Sequence, residues 1–165
     1  MKSKLFVLLA IVFCAAAFVS CEDEEAMGRA IKGTWEGDMG IVRSFHGKVI
    51  KPTRTVLHFN QETNTSIVGD GIMIEYYNLP ELEAVYHHIS WDCWKRNNGN
   101  PGFEFKSVDT QEEYCFYDDW SITEQWFEGK YPDKDGKDIY VKLKRVMSSS
   151  APDVSKVTKW GYYED

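Results

Sequence analysis

The chain has 165 residues, 43% of them hydrophobic and 15% aromatic, and a formal net charge of −7. That length and apolar content suit one domain with a full core. So acidic a chain has no basic stripe to follow phosphates, which argues against nucleic acid as a partner.

Lys2 and Lys4 precede an unbroken apolar run from Leu5 to Val19 that ends in the small residue Ser20. A basic start with an alanine-rich, small-residue close predicts a secretory signal peptide over residues 1–20. Its removal takes away two lysines and no acids, moving the formal charge from −7 to about −9. Phe18-Val19-Ser20-Cys21 resembles a lipobox of Bacteroidota lipoproteins, in which the cysteine becomes the acylated N-terminus; ordinary cleavage near Ser20, leaving Cys21 a plain thiol, is the alternative. Lipidation at Cys21 implies the bilayer as a partner, because several acyl chains at about 0.8 kcal/mol per buried methylene hold a protein more firmly than one chain does. The acidic run Glu22, Asp23, Glu24, Glu25 looks like the surface-export signal of such lipoproteins, or is simply a solvated tether. The expected address is therefore across the inner membrane and lipid-anchored, at the outer membrane or cell surface.

Residues 24–32 predict a short helix with Ala26, Met27, Ala30 and Ile31 on its apolar side. Together, residues 21–32 form the expected tether and helix. After Gly33, runs rich in Val, Ile, Thr and aromatics recur at spacings of about ten residues between Gly, Asn, Asp and Pro clusters, the pattern of an all-β sandwich or barrel. Strands are expected near residues 34–39, 41–50, 53–60, 66–77, 85–96, 103–108, 112–121, 123–131 and 137–146. Asn97-Asn98-Gly99-Asn100-Pro101-Gly102 and Asp133-Lys134-Asp135-Gly136 supply residues that tolerate positive φ, as hairpin turns require. Serial hairpins without intervening helices predict an up-and-down antiparallel β-barrel of about eight to nine strands over residues 33–147, closed so as to remove its edges. The extension 148–165 begins Ser-Ser-Ser-Ala-Pro, and Val154, Val157 and Trp160 then suggest a short helix lying on the barrel.

Gly33-Thr34-Trp35-Glu36-Gly37, following a short helix and opening the first strand, resembles the Gly-x-Trp signature of lipocalins and related calycins. That resemblance implies a tryptophan across the closed end of the barrel with a basic residue of the last strand over its ring. Period-two alternation puts Val141, Leu143 and Arg145 on one inward face, which nominates Arg145. Residues 33–39, 117–120 and 127–131 also look like a lipocalin-like lipoprotein family of Bacteroidota, which implies a fold and an address without a substrate.

Aromatics crowd the second half of the chain, and in a barrel alternate strand residues face inward. They either fill a core or line a site, with Leu57, Phe59, Trp91, Tyr117 and Trp126 as the candidate ligand-lining set or aromatic platform. Cys93 and Cys115 are expected to pair in an oxidising compartment, yet an intervening strand near Phe103 would hold their Cα atoms about 9–10 Å apart, beyond disulfide reach. His87 and His88 are adjacent on a strand, so they point to opposite faces and cannot readily chelate one ion. Asp133-x-Asp135-Gly136-x-Asp138 has its glycine at the fourth position, where a calcium loop needs it at the sixth, and reads as a turn. Asp118, Asp119, Glu124 and Glu128 offer carboxylate pairs such as a glycosidase uses, as any acidic β-protein does. No nucleophile triad, phosphate loop or dinucleotide fingerprint is present in the sequence. The expectation is a non-enzymatic, lipid-anchored barrel without metal or cofactor, which holds a small hydrophobic ligand or serves structurally. The alternatives are a surface module that binds carbohydrate or protein through exposed aromatics, and an inhibitor-like barrel acting through its loops.

Overall fold

The structure, a computed structural model, describes residues 24–95, 99–147, 151–155 and 157–160. Residues 1–20, expected to be a signal peptide, Cys21 and part of the turn expected near residue 97 lie outside the described residues. Helix α1 (Glu24–Ile31) leads into β1 (Gly33–Asp38), β2 (Arg43–Phe45), β3 (Lys48–Ile50), β4 (Arg54–Phe59), β5 (Val68–Leu79) and β6 (Leu82–Lys95). Then follow β7 (Pro101–Ser107), β8 (Glu113–Phe116), β9 (Ser121–Ile122), β10 (Trp126–Pro132), β11 (Asp138–Val146) and β12 (Thr158–Lys159).

Among the described residues one sheet runs in the order β8-β7-β6-β5-β4-β1-β11-β10-β9, with β12 on the edge of β6, while β2 and β3 form a separate hairpin. Neighbours along that order are antiparallel. The expected all-β, up-and-down architecture is thus present as a sheet curled into a half-barrel. Alternation drives the curl: along β6, Val85, His87, Ile89, Trp91 and Cys93 are buried while His88 and Ser90 are exposed, so one face must turn inward. The two ends of the curl meet through side chains. Phe116 of β8 lies 5.0 Å from Phe127 of β10, and Tyr114 lies 5.3 Å from Tyr131, measured between ring centroids. A Cβ at Gly129 would stand 2.8 Å from Phe116 Cδ1 and 2.9 Å from Trp120 Cβ, so glycine is what lets these rings close the seam.

Two expected strands are divided differently. Residues 41–50 form a hairpin because His46 and Gly47 both take positive φ (48° and 74°), the geometry of a two-residue turn. The strand expected at 112–121 ends at Phe116, and Asp119 at φ 55° turns the chain into β9.

One end of the barrel is shut by α1. Met27 and Ile31 are buried in the core, and the last carbonyls of the helix, which have no partner within it, are taken up by side chains. The Trp35 indole N–H donates to Ile31 O at 2.7 Å, and Arg145 donates to Lys32 O at 2.8 Å and to Ala30 O. Trp35 and Arg145 are cross-strand partners, with the guanidinium 4.0 Å from the ring centroid. Gly33 at φ 115° makes the turn from helix to strand and leaves room for Arg145, whose Nη1 would lie 3.1 Å from a Cβ there.

Truncating Arg145 removes a cation–π contact of about 0.5–2 kcal/mol and charge-assisted hydrogen bonds of about 1.5–3 kcal/mol. Arg145→Ala is expected to lower the unfolding free energy in urea by roughly 2–4 kcal/mol while the strand signature in circular dichroism persists. A loss below about 1 kcal/mol would show that this stack does not secure the closed end.

Candidate functional site

Because neighbouring strands alternate in direction, the ends of β1 and β5 and the starts of β6, β8 and β11 gather at the opposite end, the mouth. The β2–β3 hairpin lies over it with Arg43 and Phe45 turned inward. Arg43 forks onto Glu75, with Nε donating to Oε2 at 3.1 Å and Nη2 to Oε1 at 2.5 Å. Its Nη1 pairs with Glu112, and Nη2 also reaches the Tyr114 hydroxyl at 3.3 Å. The Tyr77 hydroxyl donates to Glu75 Oε2 at 2.5 Å, and the Tyr114 hydroxyl to Glu112 Oε2 at 3.2 Å. His87 Nε2 stands 3.4 Å from Glu75 Oε1, within ion-pair range but without hydrogen-bond geometry. Lys134 completes the set 3.0 Å from Glu112.

Glu75 and His87 are fully buried and Arg43 is 6% exposed, so the Arg43–Glu75 pair sits out of water. Burial by itself would push the Glu75 carboxyl up, but His87 and Arg43 outweigh it and hold the pKa at about 2, against an ordinary 4.5. Arg43 is shifted the other way: desolvation opposes its charge, and the Glu75 contacts more than compensate. Burial, helped by the charge on Glu75, raises the Tyr77 hydroxyl well above the usual range. Arg43 and Lys134 match Glu75 and Glu112 in charge, and a buried pair is tolerable when matched and hydrogen-bonded in this way.

The C-terminal extension crosses the same end. In place of the helix expected around Val154, Val157 and Trp160 there is the short strand β12, parallel to β6. The reason is the overhang of β6, whose first half has no β7 beside it and accepts a strand there. Trp160 stacks on His87 at 5.5 Å and 27°, and the Arg43 guanidinium lies 5.5 Å from its ring.

The residues nominated from sequence fall in different places. Gly33, Trp35 and Arg145 meet at the closed end. Leu57, Phe59 and Trp91 point into the lumen and are 1%, 3% and 3% exposed. Tyr117 and Trp126 are outside: Tyr117, beyond the end of β8, meets Trp94 edge-on at 5.9 Å, and Trp126 lies against Lys142. The five therefore do not line one surface. His87 and His88 diverge as adjacent strand residues must, one buried and the other exposed. Asp133 Oδ1 accepts the backbone N–H groups of Asp135 and Lys137, which makes that segment a hairpin turn. Glu128 is tied to Lys142 and Tyr140 on the outer face. Cys93 and Cys115 form no disulfide, since β7 runs between their strands.

Sequence reasoning passed over Arg43, Glu75, Tyr77, Glu112 and Tyr114, and took Trp160 only as part of a helix on the barrel. A usable signal was Glu75, a carboxylate at an inward position of the apolar run Gly71-Ile72-Met73-Ile74-Glu75-Tyr76-Tyr77. Away from the mouth, a groove of about 460 Å³ lies on the outer face of β5, β6 and β7 between Asp70, Ser90, Asp92, Glu104 and Lys106. Comparison with protein-family models finds no match, and neither does comparison with curated proteins.

Breaking a buried pair by removing one partner costs about 3–5 kcal/mol, the loss expected for Glu75→Gln in urea denaturation. The folded-state pKa of Glu75 lies below its unfolded value, so its stabilisation is complete above about pH 4.5 and is lost as pH falls toward about 2. Across that window the wild type should lose more stability than the Gln variant. Parallel curves would contradict the assignment.

Proposed function

We propose that the chain is a non-catalytic, lipid-anchored envelope protein whose lipocalin-like barrel is a filled scaffold, acting through its outer surface and its mouth rather than through a ligand in the lumen. The observation that carries this reading is the position of Phe103. Its ring lies 5.6 Å from Phe59, 5.9 Å from Phe116, 5.9 Å from Trp120 and 5.8 Å from Phe127, so rings from β4, β7, β8 and β10 meet across the interior. Centroid separations of about 4.5–7 Å are aromatic contact. An apolar ligand would have to displace this cluster and lift the hairpin that carries Arg43.

The anchoring part of the reading rests on the leader and on the Ser20-Cys21 pattern. Under it, the closed end, where α1 begins at Glu24, is the tethered end, and the mouth faces away from the bilayer. A glycan or protein partner would meet the outer aromatics, where Trp94 covers Gly102 and meets Tyr117 edge-on.

A fluorescent fatty acid should show no displaceable binding to the protein, and native mass spectrometry should find no bound lipid; a stoichiometric bound apolar molecule would overturn the filled-scaffold reading. Phe103→Ala is expected to cost about 3–5 kcal/mol and to open a void. For the anchor, an alkyne-tagged fatty acid supplied to the producing cells should label the wild type and not Cys21→Ala; equal labelling, or none of the wild type, would refute lipidation at that residue.

A further inference from the structure

We propose that the overhanging edge of β6 at the mouth is a peptide-binding site, filled in cis by the chain's own tail, and that its ligand in trans is an extended segment with a basic residue followed by an aromatic one. The inference goes beyond the filled-scaffold reading and does not depend on the lipid anchor.

β6 spans Leu82–Lys95, but β7 pairs with it only from Ile89 onward. The first half of β6 is therefore a sheet edge with main-chain groups to offer. β12 takes that edge, Thr158 opposite Val85 and Lys159 opposite Tyr86, and the Trp160 N–H donates to Tyr86 O at 3.0 Å. Two side chains then read the segment. Lys159 Nζ lies 3.0 Å from Asp109 Oδ1, and the other oxygen of that carboxylate accepts the His88 N–H at 2.8 Å, so the acceptor is preset by the barrel. The Trp160 ring lies against the His87 imidazole and the Arg43 guanidinium, both buried and both placed against Glu75. The surface that receives the ring thus belongs to the barrel and the hairpin and not to the tail that covers it.

Strand addition of this kind takes affinity from main-chain hydrogen bonds and specificity from side-chain pockets. The tail holds its place with a two-residue strand, and Thr158, Lys159 and Trp160 are only half-buried. Such an element opens locally at a small fraction of the free energy of unfolding. Tethering keeps the tail at an effective concentration near the millimolar range, which an outside peptide must overcome.

The test is fluorescence anisotropy with a fluorescein-labelled synthetic peptide of residues 151–160, titrated with the full chain and with its Lys159→Ala/Trp160→Ala variant. The variant should bind the peptide roughly tenfold or more tightly than the wild type, because its own tail no longer competes. A peptide with alanine at the position of Trp160 should bind neither protein, and Asp109→Asn in the variant should weaken binding. Equal affinity for both proteins, or no binding by a variant with the wild-type circular dichroism spectrum, overturns the proposal. Should the variant not fold, hydrogen exchange of the Trp160 amide in the wild type decides the matter. Acceleration by saturating peptide, but not by its alanine copy, supports displacement; unchanged exchange overturns it.

Discussion

The ring of Phe103 sets the terms for the rest of the molecule. It joins β4, β7, β8 and β10 in one aromatic cluster, so the sheet can curl only as far as those rings allow. At the seam between β8 and β10, Phe116 and Phe127 stand where a ladder would run in a fully bonded barrel, and Gly129 makes room for them. The interior is packed as a protein core is packed, with side chains in contact across it. A curl held by side-chain volume tolerates the loss of one line of backbone hydrogen bonds, which a hollow barrel of the same strand count would not.

The two ends are sealed by different physics. At the closed end an apolar face is continued by α1, and one cation serves twice, covering the Trp35 ring and capping the helix carbonyls. At the mouth the seal is ionic: Arg43 descends from the hairpin onto Glu75 and Glu112, the Tyr77 and Tyr114 hydroxyls add a hydrogen bond to each carboxylate, and Lys134 pairs with Glu112. Burying such a pair brings little net stability compared with an apolar plug of equal volume, whereas removing one partner is costly. Its consequence is positional, because a forked guanidinium admits one placement of the hairpin, and that placement sets the guanidinium against the Trp160 ring.

The strands and the curl are legible in the sequence because alternation has a period of two and a one-residue slip would turn a whole face outward. The same parity points Arg145 to the inner face, and the ring at Trp35 is its cross-strand partner. What is not legible depends on contacts far apart in the chain. Nothing local in residues 41–50 reveals that Arg43 answers a carboxylate thirty-two positions later, although His46-Gly47 is a turn signal in plain view. Tyr117 falls outside the lumen because alternation along β8 turns Tyr114 and Phe116 inward and the residue after Phe116 outward. Val154, Val157 and Trp160 have helical spacing, but a vacant sheet edge outweighs so short a pattern and draws the segment into a strand.

The most direct test of a filled lumen is an aromatic nuclear Overhauser spectrum of the protein with its phenylalanine rings assigned. Cross-peaks from Phe103 to both Phe59 and Phe127, which sit on strands that are not neighbours of β7, are the result a packed interior requires. Their absence, with Phe103 showing contacts to water or to a co-purified molecule instead, would mean that the barrel is hollow.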